Sequence, residues 1–299
     1  MKCNPKNSCV NCDLGGINIK ITNKCNGNCK FCIEKDGYCP KAASVQELIK
    51  ATNTLHTSQN LLILGGEPLM YEHLEEYLKG VQNENRKIYL TTNGTLLTHE
   101  IAEMLSKYLS GINISIHHYL ESKNREIYGI ENYSFLPIYS AIRDFKKNGV
   151  PVRINCTLVK GVIETKKDAN DMINFARFIG ADSLRLSEVQ NQEDMYVDAR
   201  DLFVGLTDNP YEDGCEQTVF EEDGFTATVK LGCGFVNKRK PLPNDPDRKT
   251  NTRRVVYPNG DIKDGWYKIE KGKAEYYGVN QPVQYKTEYI YNTNTNSCY

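Results

Sequence analysis

Three cysteines fall within eight residues, in the run Cys25-Asn26-Gly27-Asn28-Cys29-Lys30-Phe31-Cys32. Cysteine thiolates are soft ligands that suit zinc or iron-sulfur clusters. A structural zinc ion closes a shell of four ligands, whereas a cluster held by three thiolates leaves one iron open to a cofactor or substrate. On spacing alone both stand, because Cys12 or Cys39 could complete a zinc site. Cys3, Cys9 and Cys12, with or without Cys39, form a second group that could hold another cluster or a zinc ion. Cys215, Cys233 and Cys298 are scattered singly.

The compartment bears on how these thiols are read. The chain starts Met1-Lys2-Cys3-Asn4-Pro5-Lys6 without the apolar region of a secretory signal, and no run reaches the roughly 18 apolar residues of a membrane span. The expectation is a cytoplasmic protein whose eleven cysteines bind metal, catalyse or fill the core rather than form disulfides. Hydrophobic residues make up 39% and charged residues 25% of the 299 positions, which excludes a disordered or fibrous class. A net charge of -1 lacks the basic excess that a nucleic-acid polymer would require of its partner.

The elements that must position the cysteines follow a regular order. Residues 16–22 alternate apolar and polar side chains, the period of a strand, and the cysteine loop follows directly. Ser44 with Glu47 three residues on reads as a capping box opening a helix. The unit recurs: strand 60–66 before a helix near 69–81, strand 87–93 before a helix capped by Thr98, and strand 111–118 before a helix near 133–147. Strand 151–160 precedes a helix capped by Thr165 with Asp168 at its third position, and 183–190 is the sixth strand. Six strands alternating with helices predict βαβ units with right-handed crossovers and a parallel sheet, an α/β fold curled into a partial (β/α)6 barrel. Such folds place their chemistry at the C-terminal ends of the strands, where the cysteine loop falls.

Beyond about residue 205 the pattern changes to Gly, Asp, Pro and aromatic residues with short β runs at 225–231 and 253–257. Pro258-Asn259-Gly260 is a hairpin signal, and 238–254 reads as a loop with solvated basic residues. The expected organisation is a cysteine-rich segment over 1–15, a core over 16–205 and a small β-rich C-terminal extension over 206–299 capping the barrel.

The second strand ends in Gly65-Gly66-Glu67-Pro68. Together with Cys25-x3-Cys29-x2-Cys32 and the aromatic Phe31, this resembles the radical S-adenosylmethionine (SAM) enzymes, over about residues 16–190. The resemblance implies that Cys25, Cys29 and Cys32 each ligate one iron of a [4Fe-4S] cluster, the fourth iron being chelated by the methionyl group of SAM. It places Phe31 against the adenine, Gly65 and Gly66 where the backbone approaches the cofactor, and Glu67 beside the methionyl amine. Asn93, ending the third strand, and Ser115, on the fourth, match positions that contact SAM in the family. The fifth strand lacks the family's glycines, which leaves Asn155 to serve the ribose by its side chain, with Cys156 in the core.

By the same resemblance, one electron from a donor such as flavodoxin or ferredoxin cleaves SAM, and the 5'-deoxyadenosyl radical takes a hydrogen atom from the substrate. His117 and Glu188, with His118, Arg185 and Ser187 nearby, are the polar residues at strand ends expected to meet substrate, and His117 and Glu188 are the catalytic candidates. Neither a cysteine-rich C-terminal domain nor a leader-binding domain is visible, so a small-molecule substrate is expected. The overall build is similar to queuine lyase, a carbon-nitrogen lyase of queuosine salvage that yields 7-aminomethyl-7-deazaguanine. The alternatives are a maturase modifying a ribosomally made peptide, which would use extra clusters, and a non-catalytic iron-sulfur or zinc binding module.

Overall fold

The computed structural model describes residues 16–32, 40–55, 60–189, 193–206, 216–231, 254–264, 266–270 and 273–277. Cys3, Cys9, Cys12, Cys39 and the basic stretch 238–253 lie outside the described residues.

Six parallel strands form the core in chain order: β1 (Ile17–Lys20), β2 (Leu61–Leu64), β3 (Ile88–Thr92), β4 (Gly111–Ser115), β5 (Val152–Leu158) and β6 (Ser183–Glu188), each paired with the next. The connecting helices are α1 (Val45–Asn53), α2 (Leu74–Val81), α3 (His99–Ser106), α4 (Glu121–Tyr128), α5 (Phe135–Lys147) and α6 (Lys166–Phe178). Consecutive parallel strands joined by right-handed crossovers put all their helices on one face of the sheet. The apolar residues of the strands line that face, with Ile19, Ile63, Leu90, Ile114, Ile154 and Leu184 buried in one core with Leu78, Leu105, Phe145 and Met172 of the helices.

Side chains alternate across a strand, so the intervening residues share the opposite face. The pairing aligns them in rows: Thr91, Asn113 and Arg153 in one, and Ser115, Asn155 and Arg185 in the next. This is the α/β arrangement and parallel sheet the alternating pattern predicts. The capping boxes Ser44/Glu47 and Thr165/Asp168 and the Thr98 cap are all formed.

The structure departs from the expected layout in two places. Helix α4 lies where no helix was expected, in a segment of low apolar content that Gly129 ends in the left-handed region at φ 64°. The described strands of the C-terminal third extend the sheet at both edges. A hairpin of β7 (Glu216–Glu222) and β8 (Phe225–Lys230), reached after the short helix α7 (Ala199–Leu202), continues it beyond β6. On the other side β9 (Arg254–Val256) pairs parallel with β1 and carries β10 (Ile262–Asp264), giving this sheet ten strands among the described residues. The turn between β9 and β10 is the expected Pro-Asn-Gly hairpin, closed by Tyr257 N–H donating to Asp261 O at 2.9 Å. Strands β11 (Trp266–Glu270) and β12 (Lys273–Tyr277) form a separate two-stranded sheet.

One buried ion pair ties the added strands to the core. Arg185 of β6 donates from Nε and Nη2 to the two carboxylate oxygens of Glu216 at 2.8 and 2.6 Å, and Thr228 Oγ1 donates to Glu216 Oε1 at 2.6 Å. Burial pushes the Glu216 carboxyl up, but Arg185 and Thr228 outweigh it and hold it below the usual carboxylate range. A carboxylate whose folded pKa is lowered stabilises the protein above its unfolded pKa and loses that contribution as pH falls. Glu216→Ala is expected to cost about 3–5 kcal/mol in urea unfolding at pH 7, because it strands a buried guanidinium. The gap from wild type should shrink as pH falls through the carboxylate range.

Candidate active site

The cysteine loop leaves β1 and is held at its root by main chain. Ile21 N–H donates to Leu64 O at 2.9 Å, Gly66 N–H to Thr22 O at 3.0 Å and Glu67 N–H to Lys24 O at 2.8 Å. This contact is so close that a Cβ on Gly65 would lie 2.5 Å from Thr22 O, and one on Gly66 only 2.1 Å from Lys24 O. Gly65 also has φ +147°, open to glycine and strained for other residues. The two glycines therefore let the end of β2 dock against the root of the cysteine loop.

Glu67 is 1% exposed. Its carboxylate accepts from Thr92 Oγ1 and Asn93 N, both at 2.7 Å, and from Leu69 N at 3.0 Å. Burial pushes its pKa up against these three donors. Asn93 carries the connection onward: its Nδ2 donates to Asn26 Oδ1 at 2.8 Å, Asn26 Nδ2 donates to Thr95 Oγ1 at 2.9 Å, and Thr95 N–H and Oγ1 donate back to Asn93 Oδ1. The ends of β2 and β3 and the cysteine loop thus form one hydrogen-bonded unit.

Cys25, Cys29 and Cys32 are all half-buried on this loop. Cys32 N–H donates to Cys29 O at 3.1 Å, and Gly27 N–H donates to Cys25 Sγ at 3.3 Å. Burial, with smaller contributions from Glu67 and Cys32, pushes the Cys25 thiol up to about 11 against the Gly27 N–H. Three thiols brought together on one short loop are a soft donor set. The donor set therefore fits a thiolate-held cluster.

An aromatic series runs back from the loop. Phe31 meets His117 edge-on at 4.9 Å between ring centroids, His117 lies 5.5 Å from Tyr128, and Tyr128 stacks on Tyr133 at 5.4 Å. His117 is buried, and its Nδ1 accepts from Thr157 N–H at 3.1 Å, which places the proton of the neutral ring on Nε2. Burial pushes its pKa down to about 4. His118 also has its Nδ1 occupied, by Leu120 N–H at 2.9 Å.

The remaining candidates separate into two places. Ser115 and Asn155 stand side by side on the polar face, with Arg153 Nε donating to Asn155 Oδ1 at 3.1 Å and Arg185 next in the row. Glu188 is buried, and its Oε1 accepts from Tyr196 OH and Ala199 N–H, both at 3.1 Å, clasping the segment before α7 to the end of β6. Sequence reasoning missed Tyr128, Asn26 and Thr92, which hold the site through partners distant in sequence. For Tyr128 the available signal was Tyr-Gly at 128–129, a helix ending in a segment without clear apolar periodicity.

Residues 19–176, more than half of the chain, match the model of the radical SAM superfamily, and the chain belongs to that superfamily. Its members use a [4Fe-4S] cluster and S-adenosylmethionine. A GTP 3',8-cyclase from Clostridium perfringens is 30% identical over 172 residues, covering 55% of this chain and 52% of that protein. A probable GTP 3',8-cyclase from Methanothermobacter thermautotrophicus is 30% identical over 262 residues, covering 83% of this chain and 82% of that protein. The chain thus spans about half the length of the Clostridium relative, whereas the likeness to the Methanothermobacter protein runs through most of both. Among solved structures, Streptococcus suis SuiB bound to precursor peptide SuiA superposes with a TM-score of 0.60 at 18% identity, over 83% of this chain and 58% of that one. A radical SAM methyltransferase from Sphaerobacter thermophilus does so at 0.54 and 16% identity, over 74% and 66%. At these identities the likeness is one of fold. Among the described residues no helix is long and apolar enough to cross a membrane.

Gly66→Ala drives a Cβ into a backbone oxygen, so it is expected to cost about 1–3 kcal/mol in stability and to lower iron bound per chain on reconstitution, measured by urea unfolding and iron assay. His117 adds no ionisation near neutrality, so the pH profile of SAM cleavage between pH 6 and 8 should be the same in wild type and His117→Gln.

Proposed function

We propose that the chain is a radical SAM enzyme that takes a hydrogen atom from a small, polar substrate of the purine nucleotide class. The observation that carries this is the face of the sheet opposite the helices, where Arg153 stands against Asn155 and Ser115 with Asn113 in the neighbouring row, while Arg185 on the same face is engaged by Glu216. A face built of amides, a hydroxyl and the Arg153 guanidinium is suited to hydrogen-bonding a base, a ribose or phosphates. The relatives named GTP 3',8-cyclase support the nucleotide class.

Cys25, Cys29 and Cys32 would hold three irons of the cluster, and SAM would lie among Phe31, Gly65, Gly66, Asn93, Ser115 and Asn155. The bound, reduced cluster supplies the electron that cleaves SAM. The chain supplies placement and exclusion of competing reactions. Glu67 braces the strand ends under the cofactor, His117 backs Phe31 as a neutral ring, and Glu188 fixes the segment before α7. A small acidic carrier such as flavodoxin or ferredoxin would deliver the electron.

Cleavage of queuine rests on overall build alone, and none of the relatives reported above is named for it. Anaerobic protein reconstituted with iron and sulfide, given SAM and dithionite, distinguishes these substrates through 5'-deoxyadenosine release. Release stimulated by GTP is expected; release stimulated only by queuine would restore the lyase, and only by a peptide, the maturase. Zinc retained in place of iron, with no SAM cleavage, would leave a binding module. Arg153→Ala is expected to weaken the nucleotide-dependent reaction by roughly tenfold or more in kcat/KM, the scale of one charge-assisted hydrogen bond.

A further inference from the structure

We propose that Tyr128 is a positioning residue for the cysteine loop, acting through Gly27 on the hydrogen bond that Cys25 Sγ receives. Helix α4 ends at Tyr128, and the last carbonyls of a helix have no partner within it. The carbonyl of Tyr128 accepts from Asn28 N–H of the cysteine loop at 2.7 Å. The phenol donates to Ser115 O at 2.6 Å, fixing the side chain to the end of β4. Its ring is held from behind by stacking on Tyr133 and flanked by His117.

The Tyr128 ring atom Cδ1 lies on the side of Gly27 where a side chain would stand. A Cβ placed on Gly27 would sit 3.3 Å from Tyr128 Cδ1 and 3.7 Å from Cys25 Sγ, so the residue fills the gap between ring and sulfur. With Asn28 held by the Tyr128 carbonyl and the Tyr128 ring limiting how far the chain at Gly27 can shift towards it, the Gly27 N–H stays aimed at Cys25 Sγ. Hydrogen bonds to cluster sulfurs are one of the levers on reduction potential, because a donor favours the more negative, reduced state. Tyr128 lies 96 residues after Cys32 and outside the cysteine motif, yet sets this lever by shape. The inference needs the cluster and does not depend on the substrate.

The test is an EPR-monitored redox titration of the reconstituted full chain without SAM, together with iron per chain. Tyr128→Leu removes the flat ring while keeping apolar volume, and is expected to bind as much iron as wild type with a more negative midpoint. Tyr128→Phe keeps the ring, its stacking and the carbonyl but loses the bond to Ser115 O, so its midpoint should move less than that of Tyr128→Leu. Gly27→Ala presses on the ring and should move the midpoint in the wild-type background, but not further in the Tyr128→Leu background, where the side chain can yield. An unchanged midpoint in Tyr128→Leu, a shift in Tyr128→Phe as large as in Tyr128→Leu, or additive effects of the two positions would overturn the proposal. If Tyr128→Leu fails to fold, the Gly27→Ala midpoint decides alone, and an unchanged value would overturn it.

Discussion

The cysteine loop depends on a contact between two stretches of main chain. Gly66 and Glu67 donate to Thr22 O and Lys24 O, and the distance leaves no room for a side chain at either glycine. Without this docking the root of the loop would be free, and only the bonds that Asn26 and Asn28 make further along would tie the loop to the rest of the fold. Three thiols must be presented together to bind a cluster, and a loop free to move would lose entropy on each occasion that it did so. The close approach meets that cost during folding, by attaching the loop to the neighbouring strand.

From that contact the rest of the site is braced in series. Glu67 turns the end of β2 into an acceptor for the end of β3, and Asn93 passes the restraint back to Asn26 within the cysteine loop. A buried carboxylate with three donors is costly to disturb, since removing it leaves those donors unpaired. On the other side Tyr128 and His117 close against Gly27 and Phe31. The loop is thus held between a hydrogen-bonded network and an aromatic wall, and the sheet below turns its polar face towards the space beside Ser115 and Asn155.

Much of this was legible in the sequence, for physical reasons that differ by element. Strands buried between helices and a polar face keep a period of two, and Ser44, Thr98 and Thr165 mark helix starts because their hydroxyls satisfy otherwise unpaired amides. The candidate ligand cysteines show in spacing because a loop must bring such residues close together. Gly65-Gly66 marks in the sequence a place of close backbone approach, and in the structure the missing Cβ atoms let main chain meet main chain. What stayed hidden depends on tertiary pairing. Nothing local told that Glu216 would neutralise Arg185, that β9 would pair with β1 from the far end of the chain, or that His117 would lose its ordinary basicity by burial. Glu188 and His117 stood out as polar residues at strand ends, and their partners, Tyr196, Ala199 and Thr157, become visible only once the strands are placed.

The loop from Cys25 to Cys32 is proposed to bind a cluster with one iron open to S-adenosylmethionine. This is tested most directly by the low-temperature EPR spectrum of the reduced, reconstituted protein with and without SAM, compared with the Cys29→Ala variant. A [4Fe-4S] signal that SAM perturbs is expected in the wild type and should be missing from the variant. A signal indifferent to SAM, or one that survives intact in Cys29→Ala, would contradict it.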